Sequence, residues 1–100
     1  MIEEIVQKIH KGLYEYSKHA VDQSVVRFIS TKEIVEAIES GKIIEYYPDD
    51  KYGPSCLIYG KTNKNRPIHV QCSYPSRPLV KIITVYEPAT ELWINFEIRR

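Results

Sequence analysis

Residues Ser30 to Tyr47 read STKEIVEAIESGKIIEYY, and the period of this stretch changes at Gly41. Before the glycine, Ile34, Val35 and Ile38 recur at helical spacing. Ser30 and Glu33 have the capping-box separation, in which each side chain satisfies an exposed amide of the other. Gly41 stands where a left-handed terminating residue belongs. Beyond it, Ile43 to Tyr47 is β-branched and aromatic, the composition of a strand, and Pro48 ends the run. Helix lies on one side of Gly41 and strand on the other, and the rest of the chain divides the same way.

Upstream, Ile2, Ile5, Val6, Ile9 and Leu13 predict a first helix, with Glu3 and Glu4 at its start, Lys8 and Lys11 near its end and Gly12 as the stop. Tyr14-Glu15-Tyr16 reads equally as a strand or a connection. Ser17 can cap a second helix, with Val21, Val25, Phe28 and Ile29 as its apolar stripe. Downstream, Asp49 to Pro54 is a turn-rich loop. Ser55–Lys61, Pro67–Ser73 and Leu79–Glu87 read as strands, and Thr62–Asn65 suits a hairpin. The last of these strands is apolar or neutral on both faces apart from Lys81, as expected inside a sheet. In the tail, Trp93, Phe96 and Ile98 can dock as a short helix or as an edge strand. The expectation is an α+β domain: two to three N-terminal helices packed on one face of a four- to five-stranded antiparallel sheet, the other face free. One hundred residues make a single domain, residues 1–100.

Charge is segregated along this plan. From Lys51 to Tyr86 there is no Asp or Glu, so residues 1–50 carry −4, 51–86 carry +6 and 87–100 carry −1. Four of the eight tyrosines fall in the same window. Cations mixed with aromatic rings suit single-stranded nucleic acid, whose phosphates and bases they meet respectively. No run of about 18 apolar residues predicts a membrane span. The N-terminus lacks the basic start and apolar stretch of a signal peptide, so the cytoplasm is the expected compartment. In that setting Cys56 and Cys72 are expected as reduced, buried thiols. With no CxxC, no HExxH and widely spaced histidines, neither a metal nor a cofactor is expected.

A few residues carry candidate chemistry. His19 falls in the first turn of the second helix, where the dipole favours a neutral imidazole able to accept a proton. His69 and Gln71 share one face of an alternating run whose other face is Ile68, Val70 and Cys72, which places them on the free side of the sheet. Tyr86 can donate a proton, contact a phosphate or stack on a base. Arg27 interrupts an apolar stretch of helix, and Arg66 and Lys81 are cations of the acid-free window.

Five segments in this order then resemble a known group: Ser17-Lys18-His19-Ala20, Tyr47-Pro48-Asp49-Asp50, Gly53-Pro54-Ser55-Cys56, Arg66-Pro67-Ile68-His69-Val70 and Ile83-Thr84-Val85-Tyr86-Glu87-Pro88. They look like a small bacterial and archaeal domain family of unknown function, itself similar to the RelE-like and MqsR-like toxin ribonucleases. The family-like core runs from about 16 to 88, with the first helix and residues 89–100 as additions. The resemblance implies a metal-independent endoribonuclease, an mRNA interferase of a type II toxin–antitoxin pair. Its partners would be RNA and a cognate antitoxin, of the YgiT zinc-finger type in related pairs. His19, His69, Tyr86 and Glu87 are the motif positions it carries over. On that reading His19 or His69 is the base, the other histidine or Tyr86 the acid, and Arg66 or Lys81 the stabiliser of phosphoryl charge. Gln71 and Arg27 would hold substrate. It requires His19 and His69 to face one cleft. The alternative is a non-catalytic module that binds RNA or an acidic protein on the same fold.

Overall fold

A computed structural model describes residues 1–100. The chain runs α1 (Ile2–His10), β1 (Tyr14–Tyr16), α2 (Lys18–Val26), α3 (Thr31–Glu39), β2 (Lys42–Tyr47), β3 (Ser55–Lys61), β4 (Pro67–Ser73), β5 (Val80–Tyr86), β6 (Trp93–Ile94) and β7 (Ile98–Arg99). The first five strands form one sheet in the order β1-β5-β4-β3-β2, and β6 and β7 form a separate small hairpin. The fold is α+β, with three helices on one face of the sheet.

The sheet is mixed, not antiparallel throughout: β1 lies parallel to β5, while the other pairs are antiparallel. The Tyr14–Tyr16 segment is too short to show a period. It becomes a strand because the backbone at both of its ends is engaged: Val80 donates to the carbonyl of Leu13 and Ser17 donates to that of Ile82. Adjacency to β5, not local propensity, makes it extended.

Beneath the helices, Ile5, Ile9, Ala20, Ile34, Ala37 and Ile38 pack on Cys56, Ile58, Ile68, Val70, Cys72, Val80, Ile82 and Val85. The capping box at Ser30 and Glu33 is present in both directions. Gly41 has a different role from the expected one. It does not adopt a positive φ; a Cβ there would lie 2.5 Å from Cγ2 of Ile58 and 2.6 Å from the Ala37 carbonyl oxygen. Gly60 on β3 faces the same helix more tightly, since its Cβ would fall 1.7 Å from that oxygen. These two glycines let α3 lie directly on β3.

The second helix departs most from expectation. Ala20 is its buried residue, while Val21, Val25 and Phe28 are exposed, Phe28 by 86 %. The helix stops at Val26 in a Schellman motif: Ile29 donates to Ser24 and Phe28 to Val25. Phe28 thus takes the left-handed position, at φ 54, that glycine usually fills. The same motif ends α1, where Gly12 fills the slot at φ 71 as expected. Only Ile29 of the expected stripe, together with Ala20, reaches the core.

The opposite face of the sheet is not left free. Its middle is covered by the C-terminal hairpin, whose Trp93 is buried. Two bulges shape what lies under and beside it. In β2, Ile44 is the extra residue between the Ile43–Ile58 and Glu45–Leu57 pairs. In β5, Ile83 is the extra residue between the Ile82–Cys72 and Thr84–Gln71 pairs. The second bulge puts Lys81, Thr84 and Tyr86 on one face, although simple alternation would set Lys81 opposite Tyr86.

Two stability measurements check these assignments. Phe28→Gly relieves a left-handed strain of about 1 kcal/mol without removing a buried ring, so thermal unfolding should move upward. A downward shift would mean that the exposed ring contributes packing. Gly60→Ala should cost roughly 3 kcal/mol or more in chemical denaturation, because backbone must move to admit the methyl.

Candidate functional site

The open face of the sheet carries two adjoining clefts that share Asp50 and Gln71 as a common wall. The first, about 580 Å³, is lined by Tyr47, Asp50, Leu57, Gln71, Tyr86 and Arg99. The second, about 460 Å³, takes in Ser17, Tyr52, Ser73, Arg77 and Lys81.

His69 lies below the first cleft and is 0 % exposed, not solvent-facing as the alternating pattern predicts. The pattern assigns the correct face, but the hairpin then covers it. Trp93 meets the imidazole edge-on, with centroids 4.5 Å apart. His69 Nε2 lies 2.6 Å from the carbonyl oxygen of Phe96, and Nδ1 lies 3.1 Å from the hydroxyl of Tyr86. A carbonyl can only accept, so Nε2 carries the proton. Burial holds the imidazole pKa below its ordinary value, leaving it neutral. Nδ1 is then an acceptor, and Tyr86 donates to it. Burial also raises the pKa of Tyr86, with Arg99 acting in the opposite direction, so the phenol stays protonated at neutral pH.

The hairpin is built to make this contact. Asn95 and Phe96 both have positive φ, 52 and 64, and Glu97 donates to Ile94, the geometry of a type I′ turn. Phenylalanine is costly at that position, yet it aims its carbonyl at His69 while its ring lies 5.9 Å from that of Tyr59. On the other side of the hairpin, Arg99 stacks over Trp93 at 4.7 Å and donates from Nε to both oxygens of Glu45. Tyr47, its pKa pushed up to about 12 chiefly by burial, donates to the same carboxylate.

A second network lines the wall between the clefts. Ser55 donates to Asp50 Oδ2 at 2.6 Å, and the Gln71 amide donates to Ser55 at 3.1 Å and more weakly to Asp50. Gln71 therefore reaches the site, but as the holder of a carboxylate.

The remaining candidates are spread more widely than expected. His19 is exposed at the start of α2, and its Nε2 lies 3.1 Å from the hydroxyl of Thr84 at the rim of this face. It lines neither cleft. Lys81 lines the second cleft. The Arg27 guanidinium hangs 6.0 Å from the centre of the Tyr86 ring and is fixed to Gln23. Arg66 is turned away from both clefts: it pairs with Glu33 and Glu87 and donates to the carbonyls of Arg27 and Phe28. Its charge is spent on pinning the end of α2, so it is not a free phosphate ligand. Glu87 is its partner there.

A family profile spans residues 16–87 of the chain, from β1 to the residue after β5. The protein belongs to the DUF4258 family, a domain of unknown function. The DUF4258 core contains His19, Asp50, His69, Gln71 and Tyr86, whereas α1 and the hairpin with Trp93, Phe96 and Arg99 lie outside it. No curated protein and no solved structure matches the chain.

Sequence reasoning missed Asp50, Ser55, Arg77, Trp93 and Arg99. Asp50 reads as an ordinary turn residue, and its proximity to Ser55 and Gln71 exists only once β3 and β4 pair. Trp93 and Arg99 come from a tail with no clear period.

The buried imidazole has a measurable consequence. Between its depressed pKa and the ordinary value of about 6.5, the unfolded chain holds a proton that the folded chain does not. Stability therefore rises with pH across that window; the contribution is full above about 6.5 and declines below it. Denaturation midpoints at pH 7.5 and 5.5 should differ more for the wild type than for His69→Gln. Equal differences would remove His69 as the cause.

Proposed function

We propose that this chain is a toxin-like, metal-independent endoribonuclease whose substrate strand lies in the two clefts. The observation that carries the reading is Tyr86, which lines the larger cleft while a buried neutral histidine holds its hydroxyl. Asp50 lines the same cleft as a hydrogen-bonded carboxylate.

In this mechanism Asp50 accepts the proton of a ribose 2′-hydroxyl. The 2′-oxygen attacks the adjacent phosphorus as the bond from phosphorus to the 5′-oxygen breaks. Tyr86 swings its hydroxyl proton from Nδ1 of His69 to that leaving oxygen and gives it up there, becoming a phenolate. Arg27 and Arg99, both close to Tyr86, favour the negative charge that develops on the phosphoryl oxygens and on the phenol. His69 does not touch substrate; it is a positioning residue that fixes where the phenol points. His19, at the rim, would contact the strand beside the cleft. An activity of this kind would need neutralisation, and a cognate antitoxin, of the YgiT type in the pairs this chain resembles, would supply it by covering the open face.

The complete burial of His69 favours a second reading, a non-catalytic module that holds RNA in the same clefts. Cleavage of a labelled single-stranded RNA in the presence of a chelator separates the two. Tyr86→Phe and Asp50→Asn should each lower the cleavage rate by about 10²- to 10⁴-fold while leaving RNA affinity within a few-fold. His19→Ala should have the smaller effect. Cleavage undiminished in both cleft variants would overturn the assignment, and binding without cleavage by the wild type would establish the module.

A further inference from the structure

The second cleft has features that the proton-transfer chemistry does not use. Of the cations in the acid-free stretch, Arg66 is neutralised by Glu33 and Glu87. Arg77 and Lys81 both line this cleft, and neither has a carboxylate partner within 4.0 Å, although Glu15 lies across from Lys81 on β1. Tyr52 lines this cleft as a residue 79 % exposed, with Lys51 Nζ 5.3 Å from the centre of one face of its ring. The backbone at Tyr52 is held on both sides: Arg77 donates to the Tyr52 carbonyl at 3.4 Å, and the turn beside it closes through Gly53, at φ 110, donating to Asp50. At the base, the Ser73 hydroxyl accepts the Lys81 amide and keeps its own proton to donate.

We propose that this cleft is a nucleotide subsite of single-stranded RNA, with one phosphate held between Arg77 and Lys81 and the attached base stacked on Tyr52. The volume of about 460 Å³ lies within the range of pockets that enclose small ligands. Exposed tyrosine beside unpaired cations is the combination that binds base and phosphate together. The shared wall of Asp50 and Gln71 places the held nucleotide next to the one whose bond faces Tyr86. The subsite would set the register of the strand against the reacting phosphate. This inference rests on the reading of RNA as the substrate, but not on cleavage.

The test uses adenosine 5′-monophosphate, adenosine and inorganic phosphate as separate probes, together with a fluorescent single-stranded RNA. The full chain and the variants Tyr52→Ala, Arg77→Gln and Lys81→Gln are titrated, and thermal melting checks that each variant is folded. The monophosphate should bind saturably and shift the amide resonances of residues 52, 77 and 81, with adenosine and phosphate each at least about tenfold weaker. Tyr52→Ala should weaken RNA binding by about 5- to 100-fold, the effect of losing one stacked base. Each cation variant should reduce the salt slope of RNA binding by about one. RNA affinity unchanged in Tyr52→Ala and Lys81→Gln would overturn the subsite even if Tyr86→Phe abolishes cleavage. Weakened binding in these variants, with no cleavage by the wild type, would uphold the subsite while the nuclease reading fails.

Discussion

A single buried imidazole ties the parts of this protein together. His69 is central to the sheet, yet both of its nitrogens are committed to groups outside its own strand: one to the Phe96 carbonyl in the tail, the other to the Tyr86 hydroxyl on β5. A buried ring with an unpaired nitrogen would be costly, so each contact enforces the other. The first holds the hairpin on the sheet. The second orients the phenol at the wall of the larger cleft. Trp93 seals the ring from water, and Arg99, stacked on Trp93, carries the arrangement out to Glu45 on the far edge strand. Without the hairpin, this face would be an open sheet with an exposed histidine.

The electrostatics follow from which cations already have partners. Arg66 and Arg99 each lie against carboxylates, and Lys42 pairs with Glu97. Their positive charge is balanced close by and adds little field at a distance. Arg77 and Lys81 have no such partner and lie at one end of the groove. Within the acid-free window Arg66 is thus neutralised, and of the window cations left without a carboxylate partner Arg77 and Lys81 are the two that line a cleft of this face. That division suits a strand anchored by phosphate at one end and handled by Asp50 and Tyr86 at the other.

Much of the fold was legible because it is written in local chemistry. The capping box at Ser30 and Glu33, the helix stop at Gly12 and the alternation in β4 each rest on interactions within a few residues. What escaped depends on distant partners. Phe28 reads as a stripe residue because nothing nearby reveals that it will fill a glycine slot whose carbonyl is pinned by Arg66. Gly41 reads as a cap, whereas its true constraint is the approach of Ile58 and Ala37. The parallel pairing of Tyr14–Tyr16 is decided by β5, more than sixty residues away in sequence. For the site, the sequence singled out Tyr86, Gln71, Lys81 and His69 as candidates, and the first three line the clefts, although simple alternation set Lys81 opposite Tyr86. It could not reveal the burial of His69, since the hairpin that buries it has no period of its own. Nor could it reveal the Ile83 bulge, which brings Lys81 to the same face as Tyr86.

The chemistry of the cut ends tests the central claim most directly. The full chain is incubated with single-stranded RNA under chelation, and the new 3′ ends are analysed by mass spectrometry. Attack by the 2′-oxygen, with Asp50 and Tyr86 moving the protons, leaves a 2′,3′-cyclic phosphate and a 5′-hydroxyl. Those ends, lost in Tyr86→Phe, are the result this account predicts. RNA that stays intact, or ends carrying a 3′-hydroxyl and a 5′-phosphate, would contradict it.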